Sequence, residues 1–102
     1  MKKKKTKNPK SELGVGWYRP EQWALLLAES VDRDELESTH AEWLAQAERS
    51  LARIRAAGLK PIKIDIDVED LIAWCANQGI PLDGNARSQY IADRIRLKDQ
   101  GS

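Results

Sequence analysis

Apolar positions recur at helical spacing along most of this chain, with one clear exception. Ile62, Ile64 and Ile66 alternate with Lys63 and Asp65, the period of two that belongs to a strand. A weaker alternation comes earlier, where Leu13, Val15 and Trp17 are separated by Gly14 and Gly16. Between them Pro20 suits a first helical position, and Trp23, Leu26 and Leu27 predict a helix over about residues 20–30. The charged stretch 31–38 reads as a connector. Thr39 and Glu42 form a capping box for the next helix, whose apolar face is His40, Trp43, Leu44, Ala47, Leu51 and Ile54. Gly58 suits a left-handed helix end, and Pro61 bars continuation. These two helices are expected to pack as an antiparallel hairpin. After the strand, Asp67 caps a third helix with Val68, Leu71, Ile72 and Cys75 inward, and Gly79 ends it. Asp83-Gly84-Asn85 is a turn, and Asn85 caps a last helix with Tyr90, Ile91 and Ile95 inward.

The fold class is therefore α+β and mostly helical: a helical hairpin, one strand and two shorter helices. The strand needs a partner for its backbone groups. Two pairings satisfy it. It can pair with its own copy across a two-fold axis, so that Ile62, Ile64 and Ile66 face a shared core and the protein is a homodimer. It can instead pair with residues 13–17. The homodimer is favoured, because two glycines make 13–17 a poor strand.

Charge divides the 102 residues unevenly. Residues 1–12 carry six lysines and one acid, and the rest carries eleven basic against fifteen acidic side chains, a net of −4. Residues 1–12 are expected to be a disordered basic tail, and 13–99 a single domain, divided into 13–59 and 60–98. No apolar run follows the lysines, none approaches a membrane span, and the single Cys75 excludes an internal disulfide. The expected setting is the cytoplasm.

Candidate chemistry is sparse. Asp65, Asp67, Glu69 and Asp70 are explained by capping and by the helix dipole, so no metal site is expected. His40 and Cys75 lie on apolar helix faces with no orienting group. No phosphate-binding glycine loop or nucleophile elbow occurs. The expectation is a non-enzymatic interaction or assembly protein without a cofactor. Trp74, at the edge of its helix's inner face, and Arg87, Arg94 and Lys98, a basic stripe on the last helix, are the candidate partner-binding residues.

Two resemblances bear on this. The ribbon at 62–66, a helix over 68–79 and the start of a second at 85–91 resemble the ribbon-helix-helix fold of small bacterial repressors and antitoxins. That resemblance implies a DNA-binding regulator in which two ribbons pair and enter the major groove. Pro61, Lys63 and Asp65 would then point outward, and Lys63 and Arg87 would be the nucleic-acid contacts. Separately, Trp17-Tyr18-Arg19, Glu21-Gln22-Trp23, Glu42-Trp43-Leu44, Ala73-Trp74-Cys75 and Asp83-Gly84-Asn85-Ala86-Arg87 resemble a family of short bacterial proteins with no assigned function. That resemblance implies a domain and no particular activity.

Overall fold

A computed structural model describes residues 12–100, with side chains to residue 97. The basic stretch 1–11 and the side chain of Lys98 lie outside the described residues. The elements are β1 (Glu12–Tyr18), α1 (Trp23–Glu29), α2 (His40–Ala56), β2 (Lys60–Ile66), α3 (Val68–Gln78) and α4 (Gly84–Gln100). Short 3-10 turns, Pro20–Gln22 and Arg33–Glu35, precede α1 and interrupt the connector to α2. The class is α+β and mostly helical, and α4, expected to be short, has the 17 residues of α2.

The weak alternation at 13–17 is a strand. β1 and β2 pair in parallel, from Glu12 opposite Lys60 to Tyr18 opposite Ile66. Glu12, placed in the tail by its charge context, opens the ladder. Parallel neighbours need a crossover, and here the segment holding α1 and α2 supplies it. The register puts Gly14, Gly16 and Tyr18 on one face with Ile62, Ile64 and Ile66. That face meets α4. A Cβ on Gly14 would overlap Ile95 Cδ1, and one on Gly16 would lie 2.8 Å from Ile91 Cδ1. The glycines that weaken β1 as a strand are thus what lets α4 lie close to the sheet.

Ile64 and Ile66 are buried within their own chain, with Trp23, Leu26, Val68, Leu71, Cys75, Leu82, Ala86 and Tyr90. They therefore do not need a core shared between two chains. α1 lies against α3 and meets α2 through Trp23, whose ring touches His40 and Trp43. The contact joins the first turns of the two helices, so they do not run alongside one another as a tight hairpin. The ten-residue connector gives α1 room to turn toward the core.

The local signals act largely as expected. Thr39 Oγ1 accepts from Glu42 N at 3.1 Å, and Asp67 accepts from Glu69 N at 3.1 Å. Gly58 and Gly79 have φ of 86° and 69°, the left-handed values that favour glycine at helix ends. One cap moves. Asp83, not Asn85, starts α4: its carboxylate accepts from Ala86 N at 2.9 Å, and its carbonyl accepts from Arg87 N.

Candidate functional site

α3 and α4 are aligned by Tyr90, whose hydroxyl donates to Asp70 at 2.5 Å while its ring is buried. Burial and the neighbouring carboxylate push the Tyr90 hydroxyl pKa far above its ordinary value. Trp74 stands edge-on to Tyr90, with centroids 5.6 Å apart. Arg94 lies over the other part of this seam, 5.2 Å from the Tyr90 centroid and 3.4 Å from Asp70. Beyond Trp74 the two helices part into an open groove of about 460 Å³, lined by Trp74, Gln78, Gln89, Ala92, Asp93 and Arg96. Arg96 and Asp93 form an ion pair on its wall.

Of the predicted partner-binding residues, Trp74 lines the groove and Arg94 holds the seam behind it. Arg87 is elsewhere. Its guanidinium grips Asp32 through two bonds, at 3.1 and 2.6 Å, and reaches the buried Ser30 at 3.3 Å. With side chains only 11% and 16% exposed, this pair ties the connector to α4. The Arg87 guanidinium holds the Asp32 carboxyl below its usual range. The residues missed in the sequence, Gln89, Ala92, Asp93 and Arg96, follow helical spacing. Their polarity gave no apolar signal to mark them.

No family model, curated protein or solved structure matches the chain. On the sheet face opposite the isoleucines Lys63 is exposed, with its ammonium 4.4 Å from the ring centroid of Trp17, which in turn packs edge-on against Trp43 of α2. Arg19 donates to both oxygens of Asp65, at 3.2 and 2.6 Å. This lowers the Asp65 pKa and raises that of Arg19. Asp67 accepts from Gln22, which also accepts from Val68 N at 2.8 Å, so Gln22 is a second cap on α3. Each acid of the cluster except exposed Glu69 is thus occupied by a cation or a donor.

His40 and Cys75 sit in different clusters. His40 places Nε2 2.7 Å from the Tyr18 carbonyl oxygen, among Trp23 and Trp43. Cys75 is buried on α3, and burial pushes its thiol pKa up. Such a thiol is poorly activated as a nucleophile. No helix among the described residues is long and apolar enough to cross a membrane.

Proposed function

We propose that this chain is a non-enzymatic assembly protein of the cytoplasm. It works as a homodimer joined through β2, and each copy offers the α3–α4 groove to a second protein. The observation that carries the reading is Trp74. It is half-buried in the wall of an open groove whose other lining residues are polar or small. A partly desolvated tryptophan inside a polar rim is the anatomy of an interface hot spot. The matching partner is a polypeptide segment that places an apolar side chain against the indole and polar groups against Gln78 and Gln89. Affinity capture with the full chain and with Trp74→Ala tests this. Partners retained by the parent and lost by the variant are expected. Identical partner sets from two equally folded proteins would overturn it.

A second reading, DNA binding of ribbon-helix-helix type, is supported at Lys63, which is exposed on the sheet face opposite the isoleucines. Arg87 supports it less, being held by Asp32. Duplex DNA binding that weakens steeply with salt is its expected mark, and no binding at low salt would overturn it.

A further inference from the structure

β2 is an edge strand of a two-stranded sheet. Among the described residues, no loop or side chain hydrogen-bonds to the backbone of Lys60–Ile66 outside its ladder with β1. Every second residue of β2 therefore directs its backbone groups to an edge that has no hydrogen-bond partner among the described residues, the arrangement that invites strand addition.

We infer that this edge takes the β2 of a second copy, antiparallel, with Ile64 on the two-fold axis. The inference rests on the homodimer reading above and fixes its register. Centring on Ile64 places Ile62 opposite the partner's Ile66 and Ile64 opposite the partner's Ile64. On the other face Lys63 meets the partner's Asp65, and Asp65 meets the partner's Lys63. Two opposite-charge pairs form at once, and each isoleucine stays on the core face. The two neighbouring symmetric registers oppose like charges: the one centred on Lys63 sets Lys63 against its own copy and Pro61 against Asp65, and the one centred on Asp65 sets Asp65 against its own copy. The edge of β1 is a poorer choice. Self-pairing about Val15 would oppose Gly14 to Gly16, with no side chains to meet. Asp65 has capacity for the added contact: its side chain is 68% exposed, and each oxygen accepts one bond from Arg19. The product is a four-stranded sheet in the order β1-β2-β2-β1.

Charge reversal tests the register by sedimentation equilibrium of the full chain. Lys63→Asp makes two like-charge pairs in its homodimer, and so does Asp65→Lys. Each should raise the dimer dissociation constant about ten-fold. An equimolar mixture of the two variants should restore dimerisation, because the heterodimer has two opposite-charge pairs. That rescue cannot come from repair within either chain, so it survives any loss of the Lys63–Trp17 or Arg19–Asp65 contact. A parent dimer whose affinity neither variant weakens would overturn the register while leaving the homodimer in place. So would a mixture no tighter than the single variants. A parent that is monomeric at every concentration would overturn both.

Discussion

Gly16→Ala separates two accounts of β1 by the sign of its effect. If Gly16 were only a flexible residue in a weak strand, alanine would restrict the unfolded chain and stabilise the protein by about 0.4–1 kcal/mol. The packing predicts the opposite. A Cβ there lies 2.8 Å from Ile91 Cδ1 and 3.4 Å from both Ile91 Cγ1 and Ile66 Cγ1. Overfilling such a site costs about 1–3 kcal/mol. The tightest contact is the end of a flexible side chain, which places the cost in the middle of that range and makes the net loss about 1 kcal/mol. For a domain of this size the melting temperature should fall by about 4–8 °C, read by circular dichroism. Ile91→Val removes the Cδ1 atom and by itself costs about 0.5–1.5 kcal/mol. Combined with Gly16→Ala it should cost less than the sum of the two, by about 1 kcal/mol. A Gly16→Ala protein that melts above the parent would refute the close approach of α4 to β1, as would strict additivity.

Other outcomes follow from the buried polar groups. Asp32→Asn should destabilise by about 3 kcal/mol, because it leaves the Arg87 guanidinium nearly buried without its counter-charge; an unchanged denaturation midpoint would contradict this. The same pair predicts acid lability. The Asp32 pKa is depressed in the fold, so its stabilisation is complete above the ordinary carboxylate range and is lost as pH falls through the lowered value. In alkali, Tyr18 is pushed up to about 12 by burial and Tyr90 is raised further, so stability contributed by both is lost as pH rises beyond about 10. Spectrophotometric titration should show neither tyrosine ionising near pH 10 while the fold persists, and a step there with unchanged dichroism would refute their burial. Cys75 should react with a thiol reagent only as fast as the chain opens, whereas rapid labelling of the native protein would place the thiol at the surface.

The helix boundaries were legible because their signals are local. Thr39, Asp67, Gly58 and Gly79 each act on backbone groups within a few residues of themselves. The pairing of β1 with β2 was not favoured, because the reason for Gly14 and Gly16 lies in Ile91 and Ile95, about 80 residues away. The same distance hid the fate of Arg87. Its spacing from Arg94 suggested a basic stripe, but Asp32 and Ser30 draw it into the interior. Trp74 was recognisable at the edge of its helix, since Val68, Leu71 and Cys75 define the buried face beside it. The polar half of its groove comes from α4 and needed the Tyr90–Asp70 contact to bring it there.

That β2 is the seam of an assembly is best tested by amide hydrogen exchange of the parent at two concentrations, one well above and one well below dimer dissociation. The account predicts that the amides of Lys60–Ile66 directed away from β1 exchange slowly in the concentrated sample and quickly on dilution, while those bonded to β1 change little. Fast exchange along that edge at both concentrations would contradict it.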